Sequence, residues 1–282
     1  MVMPVISDQT YLLNDQYKDA AKLDARVRLH QLYSTNKYGW HQWCFDQYAL
    51  PTEANVLELG CGPAYLWQTN LDRIPTGWTI TLSDFSAGML EQAKQNLGLQ
   101  SPASTALRSA QHASQFRFEI VDAQSIPVEA NTVDAVIANH MLYHVPDRLK
   151  ALSEMQRVLK PGGTVYLATN GRKHLDELYE LQHRFDPAVD FGWNRLATKA
   201  FSLDSGGAEV AQFFANVRIV RYEDALNITD AEPLVAYILS MSTADAVKNR
   251  RAELQHFVER ELTEHGVIYI GKESGMFIGT KL

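Results

Sequence analysis

Apolar positions follow two rhythms through the middle of this chain. Nearly unbroken short runs lie at 55–60 (NVLELG), 79–84 (TITLSD), 116–122 (FRFEIVD), 133–139 (VDAVIAN) and 164–169 (TVYLAT), and each predicts a buried strand. Helical spacing falls between them. Residues 86–97 (SAGMLEQAKQNL) open at Ser86, a good N-cap, and stop before Gly98. Residues 147–160 carry Leu149, Leu152, Met155 or Gln156, and Leu159 on one face, and Lys160, Pro161 and the Gly162–Gly163 pair end them. Strands alternating with helices predict a doubly wound α/β fold with a mostly parallel sheet, because right-handed crossovers put helices on both faces.

Other stretches depart from that rhythm. Residues 1–50 are polar and mixed, with loose helical spacing from Tyr11 to Leu32, and predict a helical N-terminal extension. Residues 51–169 form the core unit, and the Ser/Ala-rich piece 101–115 within it reads as a surface elongation. Residues 170–216 are too long for a bare connection and predict a lid or cap over the strand ends. The tail, 217–282, offers a strand at 217–222, helices at 231–241 and 244–264, and a last strand at 276–281. The whole reads as a single domain of 1–282.

Composition narrows the function. A chain of 282 residues with 46% hydrophobic content can bury a large core, and disorder is excluded. A formal charge of −7 argues against a dedicated nucleic-acid binder. No run of 18 apolar residues occurs, so no membrane partner is expected, and the first ten residues carry no signal-peptide pattern. Cys44 and Cys61 are the two cysteines. They preclude a disulfide framework and a cysteine-ligated iron–sulfur cluster within one chain. The expectation is a reduced cytoplasmic protein.

The strongest chemical signal follows the first strand, where Glu58-Leu59-Gly60-Cys61-Gly62-Pro63-Ala64 turns into a helix. Glycine lets a ligand lie against the main chain, and ligands of parallel sheets sit beyond the carboxyl ends of the strands. An ordinary tight turn would need the same glycines. Asp84 ends the second strand, where a carboxylate accepts from ribose hydroxyls or caps the next helix. Asp122, followed by Ala123, ends the third. The rim formed by Glu58, Asp84 and Asp122 suits a cationic ligand better than a pyrophosphate. The G-x-G-x-x-G spacing of dinucleotide binders fails as well, since Tyr65 stands where the third glycine belongs.

Taken in order, VLELGCGPA at 56–64, SDFSAGML at 83–90, VDAQSIP at 121–127, ANHMLYHVPD at 138–147 and ALSEMQRVLKPGGTVYLAT at 151–169 resemble the class I S-adenosylmethionine-dependent methyltransferases. The nearest branch is the small-molecule one that includes the ubiquinone and menaquinone biosynthesis enzymes. The resemblance implies a seven-stranded Rossmann-like sheet whose last strand is antiparallel. It implies S-adenosyl-L-methionine as cofactor and a small-molecule methyl acceptor. It also implies roles. Gly60, Cys61 and Gly62 would pass under the methionine part, with Glu58 near its amino end. Asp84 would hold the ribose and Phe85 would flank the adenine. Asp122 and the Ala123 amide would meet the adenine, and Asn139 would lie beside the sulfonium through its main chain. Ala64 replaces the family's third glycine, which calls for a modest adjustment of the turn.

Methyl transfer is an in-line displacement that asks for alignment at about 3–3.5 Å rather than a protein nucleophile or a metal. His140 and His144 are spaced i, i+4, which on one helical face would suit zinc; no glutamate follows His140 and no third ligand is evident. The resemblance places them on the acceptor side, where one could serve as general base; a hydrogen-bonded structural histidine is the alternative. Tyr33 to His41, and His174, His183, Phe185 and Trp193 of the lid, either shape the acceptor pocket or pack the core. Tyr17 and Arg28 are weak candidates for the methionine carboxylate. Two rival functions remain open: an NAD(P)-dependent oxidoreductase on a related fold, and a non-catalytic S-adenosylmethionine-binding protein.

Overall fold

Glu53–Leu59 (β1) lies at the centre of a sheet, paired in parallel with Gly77–Asp84 (β2) on one side and Val133–Asn139 (β4) on the other. Phe116–Ile120 (β3) extends the sheet beyond β2, and Leu159–Asn170 (β5) beyond β4, again in parallel. Ile268–Thr280 (β7) and Ala215–Ile228 (β6) complete it as antiparallel strands. The seven-stranded order is β3-β2-β1-β4-β5-β7-β6. The strand order reverses between β1 and β4, which opens a crevice at the carboxyl ends of those strands. This computed structural model describes residues 7–8, 21–99, 114–189, 200–241 and 247–282.

Among the described residues the α-helices are Ala21–Tyr33 (α1), Trp40–Asp46 (α2), Tyr65–Asn70 (α3), Ala87–Asn96 (α4), Arg148–Val158 (α5), Asp176–Phe185 (α6), Gly207–Val210 (α7), Ala231–Leu239 (α8) and Arg251–His265 (α9). Side-chain oxygens start several of them. Ser86 accepts from the Met89 amide, and Asp147 accepts from the Lys150 amide at 2.9 Å. Leu57, Leu59 and Val136 pack with Leu152, Met155, Phe201 and Phe277 in one apolar cluster; Val56, Ile80, Trp67 and Tyr166 belong to another. A third joins α1, α6, α8 and α9 through Leu29, Leu178, Leu234 and Val258 to Ile270 of β7.

The seven-stranded, mostly parallel sheet agrees with the α/β expectation, and the strand at 133–139 matches residue for residue. Boundaries elsewhere move for identifiable reasons. The helix expected over 147–160 stops at Val158, because the residue before Pro161 is driven into extended backbone and the strand begins at Leu159. The third strand stops at Ile120, so Asp122 lies two residues past it, in a single bridge to Ser125. The last two strands are far longer than 217–222 and 276–281. β6 is an edge strand whose charged residues break the apolar run, and the GKESG stretch at 271–275 breaks the apolar run of β7 without breaking the strand. The helix expected over 244–264 is α9, preceded by a 3-10 turn at Lys248–Arg250.

Within 170–216, α6 joins the helical layer while Phe201, Val210 and Phe214 pack into the sheet core. Residues 11–20, Tyr17 among them, residues 101–113 and Trp193 lie outside the described residues. Among the described residues no helix is long and apolar enough to cross a membrane.

Candidate functional site

The carboxyl ends of β1, β2 and β4 open into a cavity of about 780 Å³. Glu58, Gly60, Cys61, Gly62, Asp84, Phe85, Asp122, Ala123, Asn139, His140 and His144 all line it. Four separate chain segments, at 58–62, 84–85, 122–123 and 139–144, thus bring these eleven residues to one cavity.

The turn after β1 is built on left-handed backbone. Gly60 has φ +70°, Gly62 +53° and Ala64 +59°. At Gly60 an added Cβ would come within 2.9 Å of the Met141 side chain, so the packing there needs glycine. At Gly62 it would meet nothing within 4 Å, so this residue is bare main chain on the cavity wall. Ala64 is wholly buried and holds left-handed backbone, so the turn carries a methyl group at a positive φ there.

Asp84 ties two strand ends together. Its Oδ2 accepts from the Gly62 amide at 2.9 Å and its Oδ1 from the Ser86 amide at 2.8 Å. Burial raises its carboxyl, against the pull of the Ser86, Gly62 and Phe85 amides. Ser86 itself is the side-chain cap of α4.

Glu58 is almost fully buried, 3% exposed. It accepts from the Trp67 indole N–H and, at 3.5 Å, from the Asn139 amide group. Burial pushes its carboxyl up to about 7; those hydrogen bonds oppose the rise and the Asp84 charge adds to it. Asn139 also donates to the Tyr48 hydroxyl at 3.2 Å, and its Oδ1 is buried with no partner. Its side chain is therefore turned toward Glu58, where the sequence reading assigned it only a main-chain role. Asp122 accepts from the backbone and side chain of Gln124 at 2.9 and 3.0 Å.

His140 and His144 do not share a helical face. His140 has φ +54°, and His144 ends a 3-10 turn at Leu142–His144. The His140 ring lies 5.2 Å from that of Trp40; burial, then the charges of His41 and Lys272, lower it to about 4. Among the described residues no group of three or more His, Cys, Asp or Glu is placed to hold a metal ion.

Of the other candidates, Tyr38, Trp40, His41 and His174 line the cavity. His183 is exposed, and Phe185 packs on Phe257 and under Arg250. Arg28 reaches Glu232 at 3.5 Å on the surface, away from the strand ends. The sequence reading missed the far wall, where Arg26, His30, Tyr222, Tyr237, Lys272 and Ser274 come from α1, α8 and the last two strands. Lys272 had one visible mark, an ionic residue at the apolar margin of a strand; its partner Asp224, 48 residues away, had none.

Residues 57–167 match the family described as a methyltransferase domain. The demethylmenaquinone methyltransferase of Staphylococcus aureus is 31% identical over 166 residues, 56% of this chain and 62% of that protein. That of Staphylococcus haemolyticus is 28% identical over 163 residues, with the same coverage. The chain thus spans just over three fifths of the length of these curated relatives. Among solved structures, the phosphoethanolamine N-methyltransferase 2 of Haemonchus contortus, in complex with S-adenosyl-L-methionine, superposes with a TM-score of 0.58 at 16% identity, covering 97% of this chain and 59% of that one. The YcgJ protein of Bacillus subtilis gives 0.53 at 14% identity, covering 86% and 97%.

Proposed function

We propose, for a chain whose residues 57–167 are a methyltransferase domain on the class I fold, that the cavity binds S-adenosyl-L-methionine and that the protein transfers its methyl group to a small molecule. One observation carries the reading. The glycine-floored end of the cavity gathers Glu58, Asp84, Asp122 and the unpartnered Oδ1 of Asn139, so it offers acceptors and negative charge but few donors. A ligand with an ammonium, a sulfonium and ribose hydroxyls matches that supply; a pyrophosphate would meet repulsion.

The residues fit the cofactor in detail. The bare main chain at Gly62, flanked by Gly60 and Cys61, admits close approach of the methionine part. Glu58 and the Asn139 Oδ1 are the acceptors for its ammonium. A buried carboxyl raised to about 7 is one that gains a great deal from a cation beside it. The Asp84 oxygens retain lone pairs beyond the Gly62, Ser86 and Phe85 amides they already serve, which suits the ribose hydroxyls. Phe85, Asp122 and the Ala123 amide are the adenine contacts in this reading. The bound cofactor supplies an electrophilic methyl on a positively charged sulfur. The protein has then to align the acceptor and keep water out. His140 and His144 stand beside Asn139 on the acceptor side, and a neutral imidazole there can hold or receive an acceptor proton.

Isothermal titration with S-adenosylhomocysteine, S-adenosylmethionine and reduced nicotinamide dinucleotide tests the binding. Micromolar affinity for the first two and none for the third is expected; the reverse order would replace this reading by the oxidoreductase one. Transfer of labelled methyl to a pool of small metabolites separates an enzyme from a protein that only binds the cofactor.

A further inference from the structure

Charge is divided along the sheet. Of the carboxylates lining the cavity, Glu58 and Asp84 lie at the ends of β1 and β2, and Asp122 lies two residues past β3. The opposite lobe is made by the other half of the sheet and by α1. Lys272 on β7 stands opposite Asp224 on β6 in the antiparallel ladder, and the two form an ion pair with side chains 8% and 0% exposed. Lys272 reaches the cavity wall; Asp224 stays behind it, held by Ser34 Oγ at 2.9 Å and the Asn36 amide at 3.0 Å. No carboxylate of the described residues lines this lobe, while Lys272 and the imidazoles of His30, His140 and His174 do.

The imidazoles form one group with that ammonium. Burial first, and then the Lys272 charge among others, holds the His30, His140 and His174 rings below their ordinary range. They are neutral rings, each with one N–H to donate. His30 Nδ1 is buried with no partner, and His174 Nδ1 lies against the Glu273 backbone, 3.0 Å from its carbonyl oxygen and 3.2 Å from its N–H; in the tautomer in which Nδ1 accepts that N–H, Nε2–H is left to donate into the cavity. A buried ion pair is weak evidence for stability, because desolvation costs about as much as the attraction returns. A donor-rich wall with the Lys272 ammonium facing inward, its counter-charge hidden, and with Arg26 and Lys37 also on the lining, is a receptor for negative oxygen.

We infer that this lobe is the methyl-acceptor subsite and that it takes a small molecule through an anionic oxygen group: a carboxylate, a phosphomonoester or an ionised hydroxyl. An amine or ammonium acceptor finds no carboxylate there. Calling the lobe an acceptor subsite rests on the methyl-transfer reading; its preference for an anion does not.

Titration calorimetry on the full chain, alone and saturated with S-adenosylhomocysteine, tests it with benzoate, phenyl phosphate, 4-nitrophenolate, benzamide and benzylammonium. At least one anion binds ten-fold or more tighter than benzamide, and the tightest identifies the source of the oxygen. Removing the pair together in Lys272→Met/Asp224→Asn abolishes that preference and leaves S-adenosylhomocysteine affinity within two-fold. His174→Gln, which keeps the pair, weakens the anion at least three-fold and carries the same test if the double variant does not fold. Benzamide or benzylammonium binding as tightly as the anions, or a preference surviving in both variants, overturns the inference. Benzoate binding without any S-adenosylhomocysteine binding would leave the anion site standing and overturn the methyl-transfer reading.

Discussion

The carboxylate of Asp84 accepts the backbone N–H of Gly62 at 2.9 Å, so the end of β2 holds the loop that follows β1. The same carboxylate is the proposed ribose acceptor, and one side chain thereby shapes the floor and contributes to the wall. Asp84→Ala removes both functions. It should weaken S-adenosylhomocysteine binding by about 100-fold, as expected for losing hydrogen bonds to a charged group, and should speed hydrogen exchange at Gly62. Calorimetry and exchange read separately; unchanged affinity with a loosened loop would leave Asp84 a purely structural residue.

The two glycines of that loop should fail differently. Gly60→Ala brings a Cβ within 2.9 Å of Met141 as well as straining a positive φ, so its main cost is in thermal stability. Gly62→Ala meets no protein atom, so its stability cost is confined to the left-handed backbone, about 1–2 kcal/mol. Its methyl group then stands where the cofactor is proposed to lie. Thermal melts and cofactor titrations on the two variants should rank them in opposite orders.

Glu58 makes cofactor affinity depend on pH. Its carboxyl titrates at about 7 in the folded protein, so below that pH a ligand ammonium must displace a proton. Affinity for S-adenosylhomocysteine should rise between pH 6 and 8 with proton release, and Glu58→Gln should flatten the profile. The sign for stability is opposite. The folded value lies above the ordinary 4.5, so the stabilisation from the protonated form is complete at low pH and is lost as pH rises through about 7.

Histidines on the cavity wall act on the acid side. Burial lowers His41 and His140 to about 4, from 6.5 in an unfolded chain. The unfolded state therefore binds more protons between those values, and stability falls as pH drops from about 6.5 toward 4. Each should cost about 1–2 kcal/mol at pH 5. His140→Asn, which tolerates the positive φ at that position, should reduce the loss of melting temperature between pH 7 and 5.

The central strands and the strand-end residues Glu58, Asp84, Asp122 and Asn139 were determined by the sequence alone, because buried parallel strands need continuous apolar runs and glycine turns admit few substitutes. Lys160 in a strand rather than a helix was decided locally, by Pro161, and was legible in principle. Only the tertiary structure could decide the far wall. Asp224 and Lys272 meet through the register of two antiparallel strands, and His30 joins them from a helix more than 190 residues earlier. The side-chain contact of Asn139 with Glu58 is of the same kind. No local pattern encodes such meetings, since the free energy that selects them comes from burying distant apolar faces together, and the polar groups are carried along.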